Sequence, residues 1–173
     1  MRILQLNWAR IWHGVAEGGG VNGYCQWLAL AFTRQGHEVS TLASGRTYSP
    51  DPEQPSAIGP THIVRHDDWL GIRCFEIVNS PVLAPSSWQF ADPEPEIESE
   101  AMNEAVAGLL EKLEPDLVHV HSLEGFGAGV IDVVRRAGCP VVMSLHNYHT
   151  ICPEVFLLHG DRELCFDDEG GLR

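Results

Sequence analysis

Short, continuously apolar segments alternate with amphipathic ones along most of this chain, and this alternation limits the folds open to it. Apolar runs of this kind are typical of strands buried on both faces of a sheet. They are predicted at residues 3–7, 37–43, 72–78, 116–121 and 140–145, and helices at residues 21–35, 99–113 and 127–137. The order predicts an α/β domain: a Rossmann-like, three-layer fold with a parallel sheet between helices.

Two proline-rich segments interrupt this order, at residues 45–62 and 81–95. Prolines and small polar residues at this density favour irregular excursions from the sheet. In the first helix, the apolar residues Tyr24, Trp27, Leu28, Ala31 and Phe32 recur at helical spacing and are predicted to form one apolar stripe.

The length and charge restrict domain number and partners. A chain of 173 residues is enough for one such domain and too short for two of full size, so we expect a single domain over residues 1–173. The formal net charge of −13 disfavours binding to nucleic acid or to anionic lipid. The acidic segments 92–114 and 154–169 are interpreted as solvated surface, with a basic partner as the alternative.

The sequence shows no run of about 18 apolar residues and no signal-peptide core, so we expect a cytoplasmic protein without a transmembrane segment. An odd number of scattered cysteines favours reduced thiols, most of them small core residues. Cys152 and Cys165 could alternatively join a zinc or iron–sulfur site with residues beyond Arg173. Hydrolase chemistry has little support, because the sequence has no G-x-S-x-G motif.

Three glycines, residues 18–20, precede the first predicted helix. Glycines let a ligand approach the backbone closely, and the free amides and dipole of a helix start favour an anion such as phosphate. The loop therefore predicts contact with a phosphate or a sugar, with a merely flexible loop as the alternative.

Gly18, Gly20 and Gly23 also match the dinucleotide fingerprint G-x-G-x-x-G. In that fingerprint the first glycine follows the strand directly, whereas here about ten residues separate Asn7 from Gly18. The second strand also lacks a terminal acid to bind a ribose. Arg46 could meet a 2′-phosphate, so an NADP-binding domain stays an alternative.

Histidines stand at two predicted strand ends. His119 and His121 point to the same face of one strand, and His146 follows the next strand. Metal binding is disfavoured, because no acid stands at ligand spacing and the histidines lie on different strands. His119 is predicted to be a packed core residue, and His121 and His146 are predicted to face a ligand cleft.

These features together resemble the start of the retaining glycosyltransferases of the GT-B fold, family 4 (group 1). The matching segments, which span nearly the whole chain, are RIL at 2–4, GGG at 18–20, RQGHEV at 34–39, PDLVHVH at 115–121, SLHNY at 144–148 and ICP at 151–153.

The resemblance implies the acceptor-side domain of an enzyme that transfers a sugar from a nucleotide-sugar donor with retention. Gly19 and Gly20 would bind the donor diphosphate, and His146 would be the catalytic residue at the reacting sugar. His121, Asn147 and Tyr148 would line the cleft or contact the acceptor. Neither a metal nor another cofactor is expected. The acceptor would be a carbohydrate, a lipid-linked molecule or a small molecule, and a membrane-linked acceptor would make the protein peripheral to the membrane.

The sequence departs from the family in two ways. The family's donor-binding E-x7-E pair belongs to a C-terminal domain, and Glu96 and Glu104 match its spacing only by chance. Asn147 stands where many members have aspartate. We therefore expect an N-terminal domain without its donor-binding partner, inactive on its own. The alternatives are a stand-alone module that binds a nucleotide or sugar phosphate, and an NADP-binding domain.

Overall fold

The computed structural model describes residues 1–86 and 94–151, and these form the predicted Rossmann-like α/β architecture. Six strands lie in the order β3-β4-β2-β1-β5-β6, and all neighbours are parallel except β3, which runs antiparallel to β4 at one edge. The strands are β1 (Arg2–Leu6), β2 (Glu38–Thr47), β3 (His62–Arg65), β4 (Arg73–Val78), β5 (Leu117–Val120) and β6 (Val141–Met143).

The main apolar core lies on one face of this sheet. Helices α3 (Glu100–Leu113) and α4 (Gly129–Arg136) pack there. Alternate strand residues supply the sheet side of the core, among them Leu4, Leu6 and Val118. Burying each such leucine contributes about 2 kcal/mol to folding. This core fixes the strand register and therefore the positions of the strand ends.

The opposite face of the sheet is covered by helix α1 (Gly19–Arg34) and is more polar. The register places Gln5 between Thr41 on β2 and His119 on β5, and all three side chains are buried. Because successive residues of a strand point to opposite faces, His121 lies on the same face as His119. His119 and His121 therefore lie on the side of the sheet that α1 covers.

Helix α1 is rotated relative to the predicted apolar stripe. Tyr24 and Trp27 belong to that stripe, but they are 48% and 64% exposed, so the stripe is not the face that the helix buries. The buried face instead presents Asn22, Cys25 and Ala29. These side chains are small, and they let the helix backbone lie close to the sheet, which leaves the large aromatic rings outside.

The segment 45–62, predicted to be irregular, is partly ordered at both ends. Strand β2 continues to Thr47 with a shift of register after Ala43, and β3 begins at His62. The turn that returns the chain from β3 to β4 has Leu70 and Gly71 at φ values of 50° and 84°, as in a type I′ hairpin. Sequence reasoning missed this hairpin because leucine is not a residue that signals such a turn.

The acidic helices are regular and short. Ser99 caps α3 by accepting a hydrogen bond from the Met102 amide, and α2 (Glu94–Ile97) precedes it. Glu96 and Glu104 lie in α2 and α3 rather than after a late strand, as their interpretation as a chance match requires.

No helix in residues 1–86 and 94–151 is long and apolar enough to cross a membrane.

The cysteine predictions are confirmed in part. Cys25 and Cys74 are fully buried, and Cys139 is a free, half-buried thiol. Cys152 and Cys165, together with the acidic segment 154–169, lie outside the described residues.

Candidate functional site

The carboxyl ends of β1, β5 and β6 lie side by side, and α1 begins at the same edge of the sheet. Asn7 directly follows β1, His121 directly follows β5, and His146 comes three residues after β6. Ligand sites in open parallel sheets form at this edge, because loops and helix N-termini converge there.

The connection from β1 to α1 is a folded unit rather than a tight turn. It contains a 3-10 helix, Ile11–Ala16, so the dinucleotide geometry is absent from this connection. Asn22 holds the loop from inside: its Nδ2 donates to the carbonyl oxygens of Arg10 and Gly14 at 3.0 and 2.6 Å, and its Oδ1 accepts from Asn7 at 2.9 Å. These bonds fix where the glycines lie.

An ion pair closes the same loop. Arg10 Nε donates to Glu17 Oε2 at 2.9 Å. Burial raises the pKa of Glu17, but the hydrogen bond and charge of Arg10 outweigh burial, and the net effect is a lowered pKa. Glu17 is therefore a carboxylate whose charge is balanced by Arg10, which reduces its repulsion of an anion at the adjacent glycines.

The three glycines have different structural roles. At Gly18, φ is +80° and a Cβ would lie 2.6 Å from Ala9 Cβ, so the fold itself requires glycine there. At Gly19 and Gly20 a Cβ would have no neighbour within 4 Å in the described part of the chain. No described side chain caps α1 at its Gly18 N-terminus. The start of α1 is therefore open beside Gly19 and Gly20 and has no described side-chain cap, as an anion site needs.

The histidines form a contiguous cluster across β5 and β6. His121 Nδ1 and His146 Nε2 are 3.3 Å apart, and the ring centroids of His119 and His121 are 4.0 Å apart. The predicted packed position of His119 is confirmed, since it is buried and its Nε2 bonds Ser144 Oγ at 2.8 Å. His121 is also buried, whereas His146 is only half-buried and is the member nearest to solvent.

All three histidines are held in the neutral form. Burial lowers the pKa of His121 to about 3, with help from its two histidine neighbours. Burial is also the main cause of the lowered pKa of His119, and it lowers the pKa of His146. A neutral imidazole has one nitrogen that donates a hydrogen bond and one that accepts. Near pH 7 His146 can therefore donate to or accept from a ligand hydroxyl.

Tyr24 links the glycine loop to this cluster. Its ring centroid lies 5.1 Å from that of His146 and 5.9 Å from that of His121. Tyr24 follows Gly20 by four residues on α1, so the two share one helix face. The exposed glycine end of α1 and His146 thus face the same space. Sequence reasoning used Tyr24 only as one of the apolar residues at helical spacing and did not predict this contact.

The loop after His146 is oriented by a buried acid. Asn147 and Tyr148 are exposed, and Asn147 Nδ2 donates to Glu124 Oε1 at 2.9 Å. Glu124 is buried, and its Oε2 accepts from the Ser86 amide at 2.9 Å. Glu124 was not predicted, because a single acid in a loop carries no signal of its own. It fixes the Asn147 amide at the rim of the cleft.

Cys25 joins the histidine cluster from α1. One potential ligand atom from each of Cys25, His121 and His146 lies within 4.8 Å of the other two. The location of the histidines on different strands was an argument against a shared site, and it fails because β5 and β6 are neighbours. The group has the ligand types that soft divalent metals prefer.

The sequence matches a model of a known protein family. A family model described as "Glycosyl transferase 4-like domain" matches residues 19–171, which include Gly19, Gly20 and the histidine cluster. A search among curated proteins finds no match.

Proposed function

Because the chain belongs to the glycosyl transferase 4-like family, we propose that it forms the acceptor-side wall of a cleft in which a sugar is transferred from a nucleotide-sugar donor, with retention at the anomeric carbon. The observation that carries this proposal is the shared face of Gly20, Tyr24 and His146. It supports a site in which the exposed start of α1 and a neutral imidazole face one space.

The donor diphosphate would lie against Gly19 and Gly20. The first-turn amides of α1 and the positive end of its dipole stabilise negative charge, and the open space beside both glycines admits a phosphate. Arg10 balances the charge of Glu17, so Glu17 does not oppose the binding of the diphosphate. As the donor bond breaks, negative charge grows on the diphosphate leaving group, and these amides would stabilise it there.

His146 would contact the transferred sugar. Its neutral imidazole can accept a hydrogen bond from a sugar hydroxyl, and desolvation strengthens such a bond in a closed cleft. Asn147 and Tyr148, which follow on the exposed loop, would contact the acceptor, and Glu124 would orient Asn147. The transfer proposed here requires no metal.

Titration calorimetry tests the donor class. UDP-sugars and GDP-sugars are titrated into the chain, with NAD and NADP as matched controls that also carry a diphosphate. The proposal predicts that one class of nucleotide sugar binds while neither dinucleotide does. Tight NADP binding without nucleotide-sugar binding would contradict it and favour a dinucleotide-binding domain.

Retention is tested separately on the product that forms when the chain acts together with a C-terminal donor-binding domain. The anomeric proton coupling of the transferred sugar is compared with that of the donor by nuclear magnetic resonance. The proposal predicts the same configuration in both, and an inverted product would contradict it.

A further inference from the structure

A cysteine and two histidines from three separate elements meet beneath the cleft. Cys25 comes from α1, His121 directly follows β5, and His146 lies on the loop after β6. Their potential ligand atoms all lie within 4.8 Å of one another. Because the three residues are far apart in sequence, the fold itself, rather than a local motif, brings them together.

The spacing of these atoms fits the tetrahedral coordination of one metal ion. Zinc–nitrogen bonds of about 2.0–2.1 Å at a tetrahedral angle put two ligand nitrogens about 3.3 Å apart. The distance from His121 Nδ1 to His146 Nε2 is 3.3 Å. A sulfur ligand lies about 3.6 Å from each such nitrogen, so Cys25 Sγ needs to move by about 1 Å at most, which a change in its one side-chain torsion supplies.

The two imidazoles are available to a metal. His121 Nε2 is buried and has no hydrogen-bond partner among the described residues, so its contact with His146 is the only polar contact of the ring there. A neutral hydrogen bond contributes only about 1 kcal/mol, and a metal bond replaces it at small cost.

The thiol completes the set. Cys25 is buried and lies on the α1 face that packs against the sheet. A bound divalent ion displaces the proton of a ligating thiol, which leaves to solvent. Thiolate and imidazole ligands select zinc over magnesium or calcium, which prefer oxygen.

We propose that Cys25, His121 and His146 bind one Zn²⁺ ion in tetrahedral geometry, with water in the fourth position on the side of the cleft. The ion is not a cofactor for sugar transfer. It occupies a ring nitrogen of His146, the residue that would contact the sugar, so zinc and nucleotide sugar compete for the same imidazole. This competition rests on the proposed function, whereas the zinc site stands on the geometry alone.

Metal titration tests the site directly. The untagged chain is stripped with EDTA, exchanged into metal-free buffer and titrated with Zn²⁺ in competition with a chromophoric chelator, and separately with Co²⁺. The proposal predicts one ion per chain, and for Co²⁺ the visible bands of a tetrahedral site with a thiolate charge-transfer band in the near ultraviolet. Absence of stoichiometric binding, or a Co²⁺ complex without the thiolate band, overturns it.

Variants identify the ligands. Cys25→Ala is expected to lower the affinity for zinc at least 100-fold. Even the loss of a group that only supports a ligand lowers metal affinity by about 10–100-fold. Cys139→Ala removes a half-buried thiol outside the cluster and should bind as the wild type does. The double variant Cys152→Ala/Cys165→Ala should also keep one ion and the thiolate band.

Thermal unfolding in EDTA checks that each variant is folded. If Cys25→Ala binds zinc as tightly as the wild type, or if the double variant loses the ion, the assignment is wrong. If Cys25→Ala does not fold, the thiolate band of the double variant decides instead. Failure of nucleotide sugars to bind leaves the zinc count unaffected, so the two proposals fail separately.

Discussion

His146 is the most solvent-accessible member of its cluster and the one that faces the exposed end of α1. If it contacts the sugar as charge develops, His146→Ala should lower kcat by about 100-fold, the usual cost of losing one such contact, and change KM little when the chain is assayed together with a C-terminal donor-binding domain. The control is His62→Ala, at an exposed histidine on the edge strand β3. A rise in KM at unchanged kcat would show that His146 binds the ground state and the transition state equally and makes no contact specific to the transition state.

The open position at Gly20 separates ligand contact from folding. A Cβ there meets nothing in the described residues, so Gly20→Ala should fold and gain about 0.5–1 kcal/mol of stability. In the complex the added methyl group would stand where the diphosphate approaches. We expect the nucleotide-sugar Kd to rise about 10-fold, or about 1.4 kcal/mol, as measured by calorimetry.

The matched control for Gly20→Ala is Gly108→Ala on α3, where a Cβ also meets no described neighbour. It should give the same gain in stability without a change in nucleotide-sugar affinity. Equal affinities of the wild type and Gly20→Ala would place the diphosphate elsewhere.

His121 should make stability depend on pH in the metal-free protein. Burial lowers its folded pKa to about 3 from an ordinary value of 6.5, so the unfolded chain binds a proton first as pH falls. The unfolding free energy is therefore highest above pH 6.5 and falls as the pH drops below 6.5, by roughly 2 kcal/mol between pH 6.5 and 5. Urea unfolding at several pH values measures this.

His121→Asn should flatten that pH dependence by the same amount, whatever its stability at pH 7. Equal slopes in the wild type and His121→Asn would mean that folding does not change the pKa of His121.

At the scale of elements, the end of β2 and the loop after β5 meet backbone to backbone. A Cβ on Gly125 would lie 2.7 Å from the Ser44 carbonyl oxygen, and φ there is +77°. Ser44 Oγ also donates to the Gly125 carbonyl oxygen at 2.6 Å. This contact fixes the loop that carries Glu124.

Gly125→Ala should therefore cost about 3 kcal/mol of unfolding free energy, about 1 kcal/mol from the positive φ and the rest from the clash. Gly138→Ala is the matched control, because φ is +72° there and no described atom lies within 4 Å. It should cost only about 1 kcal/mol. Thermal unfolding measures both losses. If the two variants lose the same unfolding free energy, the loop after β5 moves freely away from β2.

The elements themselves were largely predictable, because each depends on a local pattern. The helix predicted at residues 99–113 follows from one apolar stripe, and it was placed within a residue of α3. The edge strand β3 was not predictable, since its four residues depend on pairing with β4 through a turn at Leu70. The rotation of α1 was also missed, because close packing on the sheet selects Cys25 and Ala29 over larger apolar residues.

At the scale of the whole molecule, the site depends on strand order. The placement of His121 and His146 at a cleft followed from the rule that parallel strands present their carboxyl ends at one edge. Their direct contact, and the arrival of Cys25 and Tyr24 from α1, required knowing that β6 lies beside β5 and that α1 covers the same face. These facts come from packing across the sheet, which no local pattern in the sequence records.

The central claim is that nucleotide sugar binds between the start of α1 and the loop after β6. Backbone amide chemical shifts of the isotope-labelled chain, followed during titration with the nucleotide sugar that binds, test it most directly. The account predicts that the largest changes cluster at Gly19, Gly20, His121, His146 and Tyr148. Changes centred on the separate pocket of about 470 Å³ between β3 and α3, with these five amides unmoved, would contradict it.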